Sequence, residues 1–336
     1  MNTNIDVTGI VLETSRLILR PWKMEDLADF YEYAKDPKTG PMAGWTPHQN
    51  KQESATILDR FIEGKKTFAL IYKENSKVIG SLGVEKYDEE KFPEFKDLQC
   101  RELGFVLSRD YWGRKLMPEA VKKVIEWLFM DIGLDAIMCG HYTFNSQSAR
   151  VQEKCGFKFY SASTHYSLSE DKEIPTVENI IYFKDWVRDN VIFESKELDE
   201  DTIDQLIELS RIWEKEDITN GYRENAVEDL KTPLITASIN GKIIGYAFGH
   251  FFEQEKKISY AKTGDKCFDI DEIYVLPHFR NLGIGERILQ EIENMVKDKC
   301  DFITLGTSTK DYEKILGFYI KKSGMTFHSA HLYKKI

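Results

Sequence analysis

Several things are scarce in this chain, and each scarcity excludes something. No apolar run approaches the ~20 residues that a membrane-spanning helix needs, so no membrane partner is expected. The opening stretch, "MNTNIDVTGIVLETSR", has no basic region followed by an apolar one, so no secretory leader is expected. The five cysteines, at 100, 139, 155, 267 and 300, form no CxxC pair and are odd in number, which fits reduced thiols in the cytoplasm. None of the seven histidines stands in HExxH or HxH spacing, so no metal site is expected. Positive charge is also short: 46 Lys and Arg face 56 Asp and Glu, for a net −10. That balance argues against a nucleic-acid partner. It suits a cationic acceptor such as an amine, or simply a solvated acidic surface. What remains is an ordinary globular composition, 42% hydrophobic and 30% charged, over 336 residues, enough for two domains.

The chain repeats itself. "RELGFVLSRDYWGRKLMPEAVKKVIEWLF" from Arg101 and "FDIDEIYVLPHFRNLGIGERILQEIENMV" from Phe268 each run as strand, turn and amphipathic helix. The helical stripes are Met117, Val121, Val124, Ile125 and Leu128 in one, and Ile284, Ile288, Ile292, Met295 and Val296 in the other. Lys115 and Gly283 are 168 residues apart, as are Gly156 and Gly324, while Gly80 and Gly245 are 165 apart. Matched landmarks in one order imply two copies of one domain, joined near "RDNV" at 188–191. In each copy a first strand ("RLILRPW"; "VIFESKEL") leads into two helical stretches. Two strands then follow, and in the second copy Asn240-Gly241 marks their hairpin. The strand–turn–helix unit comes next, then a strand, a helix and closing strands, the last pair of the second copy being short or incomplete with only about a dozen residues after Gly324. This order predicts a mixed α/β fold.

The turn "RNLGIG" lies between a strand and a helix. Helix N-termini carry unpaired N–H groups and partial positive charge, and glycines let a loop aim those groups at one point. The stretch is therefore a candidate cradle for a pyrophosphate. No Gly-Lys-Ser/Thr follows, and Ile288 stands where the third glycine of GxGxxG belongs, which removes the Walker and dinucleotide readings.

With "IYVLP" before it and "FYIKKSGM" after it, this Arg-x-x-Gly-x-Gly turn resembles the GNAT superfamily of acyl-CoA-dependent N-acetyltransferases. Through "TSRLILRPW", "GWTPH", "YWGRKLMPEA" and "NSQSARVQEKCGF", the first copy is similar to the branch that includes ribosomal-protein alanine acetyltransferases. The resemblance implies two tandem domains, 1–188 and 189–336, and acetyl-CoA as the acyl donor. It implies direct attack by a small-molecule amine or a peptide N-terminus. In that family the strand before the turn splays from its neighbour and offers free backbone groups to the pantetheine arm. Carried over, these are Ile273, Val275 and Leu276, with the Val275 and Leu276 amides holding the acetyl carbonyl as charge develops. Arg280, Asn281, Leu282, Gly283, Ile284, Gly285 and Glu286 would hold the pyrophosphate. Tyr319 matches the tyrosine that protonates the leaving thiolate, or is only a packed aromatic beside Phe318. Glu272 is the favoured base, since strand alternation puts Asp269 and Asp271 on the other face.

In the first copy the cofactor residues implied are Trp112, Gly113, Arg114, Lys115, Met117, Asn145 and Ser148. Lys115 stands where the branch usually has glycine, at a cost of roughly 1–2 kcal/mol if left-handed. Asn145 and Ser148 match an N-x-x-S element near the thiol, or merely cap a helix. Trp45 and Trp213 are candidate walls of the acceptor cleft, or core aromatics. The second copy, with its intact turn, is expected to do the chemistry, and the first to be degenerate. The alternatives are a non-catalytic acyl-CoA-binding module and catalysis by the first copy on protein N-termini.

Overall fold

The computed structural model describes residues 1–167 and 171–330. The chain divides into two compact units, Met1–Trp186 and a second from Val187 on.

The first unit runs β1 (Leu12–Glu13), β2 (Leu17–Pro21), α1 (Leu27–Ala34), α2 (Lys51–Gly64), β3 (Thr67–Tyr72) and β4 (Lys77–Glu85). It continues with β5 (Cys100–Leu107), α3 (Leu116–Trp127), β6 (Ala136–Tyr142), α4 (Ser146–Lys154), β7 (Lys158–Ser167), β8 (Lys172–Tyr182) and α5 (Phe183–Asn190), which crosses the division. Its sheet has the order β1-β2-β3-β4-β5-β6-β8-β7. Only β5 and β6 are parallel.

Strand alternation sends the two faces of β3 to different helices. Ala69 and Ile71 pack with Phe30, Tyr33, Ala34 and Leu58 of α1 and α2. Phe68 points the other way and meets Trp127 of α3 edge-on, with ring centroids 5.6 Å apart. Met117, Val121, Val124, Ile125 and Leu128 are all buried, so the stripe read from periodicity is the buried face of α3. With helices on both sides, five of the six residues of β3 are buried, which explains its continuous apolar run.

The second unit runs β9 (Ile192–Lys196), α6 (Glu200–Glu216), β10 (Leu234–Ile239), β11 (Lys242–Glu253), β12 (Lys266–Val275), α7 (Ile284–Val296), β13 (Phe302–Leu305) and α8 (Tyr312–Gly317). The sheet order is β13-β12-β11-β10-β9, and β12 and β13 are parallel. Asn240 and Gly241, at φ 50° and 82°, form the two-residue hairpin turn that their types predict. Leu206 and Leu209 of α6 pack with Tyr246, Phe248 and Tyr274. The α7 stripe buries Ile284, Ile288, Ile292 and Val296, while Met295 is half-buried. Both halves are thus mixed α/β, as the repeat implies.

One expectation fails in the second unit. Only one helix, α6, follows its first strand, and the second is reduced to the single turn Val227–Asp229. There Asp229 binds the Ala226 N–H and the Arg223 guanidinium, so polar contacts hold a loop where apolar periodicity is missing. The last strand pair of this copy is expected to be short or incomplete; residues 325–330 form no strand, and 331–336 lie outside the described residues.

Candidate functional site

In the first unit β5 and β6 pair only from Cys100↔Ala136 to Glu102↔Met138. Beyond that point β5 stays on β4 as far as Leu107, and β6 stays on β8 as far as Tyr142. The two strands therefore part, and a cleft of about 270 Å³ opens at the end of the split. Phe105, Val106 and Leu107 line one side, and Asn145, Ser148 and Val151 of the α4 region line another. Trp112, Gly113, Lys115, Met117 and Pro118 line it at the start of α3, and Met42 comes from the turn before α2.

Backbone directions in β5 follow from one bond. Ser108 N–H donates to the Ile79 carbonyl at 2.7 Å, toward β4. Successive N–H groups alternate, so the Leu107 N–H faces the split. Gly113 and Lys115 are both left-handed, at φ 77° and 61°, and Lys115 is the N-cap of α3. The sequence marks this loop as degenerate, yet the lysine takes the conformation that glycine would. Three cations, Lys115, Arg150 and Lys154, line the cleft. Among the described residues none of them is paired with a carboxylate. Tyr111, Arg150 and Lys154 were not singled out from sequence; Arg150 and Lys154 lie one turn apart on α4, a helical i,i+4 signal that was available.

Other predicted residues of the first unit have structural jobs. Arg114 lies outside the cleft lining: its guanidinium covers the Tyr111 ring, and its carbonyl accepts from Arg16 at 3.0 Å. Asn145 is buried and caps α4, accepting from the Ser148 N–H at 3.0 Å, while its Nδ2 donates to the Met42 carbonyl at 2.7 Å. Ser148 Oγ accepts from Gln152 Nε2 at 3.2 Å, which leaves the serine proton to donate elsewhere. Gln152 is fully buried and also binds Gly140, Asn179 and His141. Trp45 packs on His48 and crowds Gly40 so closely that an added Cβ there would lie 2.7 Å from the indole, so it is held as a packing residue.

The second unit repeats the split but fills it differently. β12 and β13 pair from Cys267↔Phe302 to Ile270↔Leu305 and then part. Asn281 and Gly283 are left-handed, at φ 64° and 82°, so the turn has the trace seen in the first unit. Of the two amides expected to hold the acetyl carbonyl, Leu276 is excluded: its N–H donates to the Ile244 carbonyl at 2.9 Å, toward β11. Alternation leaves Val275 and Ile273 facing the split. Arg280 is committed to a bidentate pair with Glu216, with both N···O distances 2.7 Å. Its Nε donates to the Val275 carbonyl. Phe318 stands 3.4 Å from where a Cβ on Gly285 would lie. The positions 168 residues beyond Lys115, Arg150 and Lys154 are Gly283, Phe318 and Lys322, so one cation remains of three. Beyond β13 the chain is tied to the turn after α6 by Asn220 N–H to the Ser308 carbonyl and Lys310 N–H to the Ile218 carbonyl, both 2.8 Å.

Glu272 sits in a cage of neutral donors. Tyr246 O–H reaches its Oε2 at 2.8 Å and Asn225 Nδ2 at 2.9 Å, with Tyr222 O–H at 3.5 Å. Burial pushes its carboxyl above the ordinary range, against the pull of these donors. Asp269 accepts from Thr304, and Asp271 pairs with Lys231 and His250, so both are occupied. Trp213 is stacked between Tyr222 and Tyr274, at 4.0 and 4.9 Å, and is the middle of a stack rather than a bare wall. Tyr319 is buried beside Phe318, and burial pushes its phenol up to about 12. Among the described residues, no group of three or more His, Cys, Asp or Glu could hold a metal ion, and no helix is long and apolar enough to cross a membrane.

Comparison with known proteins agrees with the two-fold division. A family profile described as "Acetyltransferase (GNAT) domain" matches residues 16–158, and one described as "Acetyltransferase (GNAT) family" matches 197–325. The chain is 28% identical over 152 residues to the uncharacterized N-acetyltransferase p20 of Bacillus licheniformis, covering 44% of this chain and 82% of that protein. It is 22% identical over 147 residues to the uncharacterized N-acetyltransferase YnaD of Bacillus subtilis, again 44% and 82%. Among solved structures it is similar to a GNAT-family acetyltransferase from Bacillus anthracis, at 18% identity, TM-score 0.46, 52% of this chain and 99% of the other. It is also similar to the ribosomal-protein-S5-alanine acetyltransferase of Vibrio fischeri, at 20% identity, TM-score 0.41, 53% and 98%.

Proposed function

We propose that this chain, a tandem of two GNAT acetyltransferase domains, binds acetyl-CoA in its first domain and there acetylates a primary amine. The observation that carries this reading is the cleft between the parted β5 and β6, with Lys115, Arg150 and Lys154 on its lining. The reading reverses the expectation that the second domain does the chemistry. The first domain keeps three cations where the second keeps one, and a polyanionic donor needs cations and free N–H groups.

When bound, acetyl-CoA supplies an acetyl thioester that an amine can attack. The N–H groups at the start of α3 and the three cations would hold its diphosphate. Hydrogen bonds to charged groups contribute about 1.5–3 kcal/mol each. Three or four would supply the roughly 8 kcal/mol of micromolar binding. The Leu107 N–H would hold the carbonyl oxygen where negative charge develops. Ser148 would give its hydroxyl hydrogen bond to the departing sulfur. The acceptor class is a small-molecule amine or a peptide N-terminus.

The test is calorimetric titration of acetyl-CoA into the full chain, Lys115→Asp and Gly283→Asp. Binding weakened at least tenfold by Lys115→Asp and unchanged by Gly283→Asp is the expected result. Loss with Gly283→Asp alone would return the donor to the second domain.

A further inference from the structure

We propose that in the first domain Glu102 accepts the proton of the incoming ammonium, and that Glu178, anchored by Lys91, sets the pH range in which it does so. This rests on transfer taking place in the first domain.

The position matching Glu272 is Gly104, 168 residues earlier, so the first domain has no carboxylate there. Glu102 lies two residues before Gly104, on the same face of β5, and is the last residue paired with β6 before the split. Glu178 lies opposite Gly140 in the β6–β8 ladder. The two carboxylates close over Gly140 from both sides. A Cβ there would stand 2.6 Å from Glu178 Oε2 and 3.5 Å from Glu102 Oε1. Glycine leaves room for both carboxylates where they stand. Glu178 is buried, and its Oε1 takes the Lys91 ammonium at 2.8 Å.

Two carboxylates thus share one lysine, and Glu102 is the one left without a cation. Burial first, and then the Glu178 charge, push its carboxyl up to about 7. Lys91 and the Gly140 N–H pull it down, and Glu85 of β4 pushes it up. The thiols beside it, Cys100 of β5 and Cys139 of β6, are kept neutral by burial. A base that titrates near neutrality is matched to removing a proton from an amine at physiological pH.

Gly104 supplies the route. It is exposed in mid-strand, and a Cβ there would meet nothing within 4 Å. Val106, next on that face, lines the cleft. Gly104 therefore leaves β5 bare between Glu102 and the cleft-lining Val106, and the acceptor nitrogen and a bridging water would sit there. The ammonium proton passes through that water to Glu102, and the freed lone pair forms the C–N bond as the C–S bond breaks. The second nitrogen proton ends on the departing sulfur. Glu102 releases its own proton to solvent, so charge and atoms balance.

The experiment is the pH profile of kcat/KM on the full chain, with acetyl-CoA and an alanyl peptide or n-propylamine, read by thiol release. Carboxyl titration by NMR of 13C-glutamate-labelled protein runs beside it and needs no acceptor. Expected are an acidic limb and one carboxyl, both near 7. Glu178→Gln should move both roughly one pH unit lower, and Lys91→Met should move both higher. Glu102→Gln should remove the carboxyl signal and lower kcat/KM roughly 100-fold without changing acetyl-CoA binding. No glutamate titrating near neutrality, or a limb that neither Glu178→Gln nor Lys91→Met moves, overturns the proposal. Acetyl-CoA binding lost only with Gly283→Asp overturns the domain assignment beneath it, and the two failures are distinguishable.

Discussion

Trp112 donates its indole N–H to the Leu107 carbonyl at 2.8 Å, and Arg280 donates its Nε–H to the Val275 carbonyl at 2.9 Å. These are the same bond in the two domains, made by different side chains 168 residues apart. It folds the loop back on the last residue of the strand before it. The arginine of Arg-x-x-Gly-x-Gly therefore acts here as a clasp, and a tryptophan serves equally. Trp112→Phe keeps the ring and loses the donor. It should lower stability by about 1 kcal/mol. The melting temperature of the domain should fall by roughly 2–4 °C, read by scanning calorimetry. Acetyl-CoA binding should weaken as the loop loosens.

Lys115 carries a left-handed backbone and a cation at once. Lys115→Gly should relieve roughly 1 kcal/mol of backbone strain. It should also raise the Kd for acetyl-CoA severalfold, because a charge is lost. Thermal melts and calorimetric binding on one preparation check both signs. A glycine variant that both melts higher and binds as tightly would show that the lysine has no role in binding.

Glu119, in the first turn of α3, gathers Thr14 Oγ1, Ser15 Oγ and the backbone and side chain of Arg16. Burial pushes its carboxyl up, but these hydrogen bonds outweigh it and the net shift is downward. A lowered folded value means stability that is present above the unfolded value and lost as pH falls. Glu119→Ala should cost about 1–3 kcal/mol at pH 7. The difference from wild type should shrink below about pH 4.5, the ordinary value. Denaturant melts at pH 7 and pH 4 test this.

Glu272 has the opposite sign. Its folded value is raised, so ionisation opposes folding, and the penalty grows as pH rises above the ordinary 4.5. Glu272→Gln keeps an oxygen for Tyr246, Asn225 and Tyr222 without the charge. The variant should match wild type near pH 4 and melt higher at pH 8. If acetyl transfer resides in the first domain, turnover should be unchanged. A large loss of turnover would restore Glu272 as the base.

Much of the fold was legible because it rests on local patterns. Period-3.6 stripes marked α3 and α7, and Asn240-Gly241 marked a hairpin that only small, polar residue types tolerate. The doubled landmarks marked two domains. The second helix of the second domain gave way to a local turn, where Asp229 binds Ala226 and Arg223. Other outcomes depended on contacts distant in sequence. The Leu276 amide went to Ile244 on a neighbouring strand. Asn145, read as a thiol contact or a cap, caps α4 at the cleft, and its second hydrogen bond spans to Met42.

The sequence by itself determined the architecture, the tandem repeat and the place of the loop, since each follows from spacing along the chain. Only the tertiary structure shows the company each loop keeps. Gly283 looks the better cradle and Lys115 the worse in sequence, but Arg280 is paired to Glu216, and Lys115 lines one cleft with Arg150 and Lys154. It alone brought Glu102 and Glu178 together over Gly140. Pairing across strands joins residues 76 positions apart, and no periodicity records that distance.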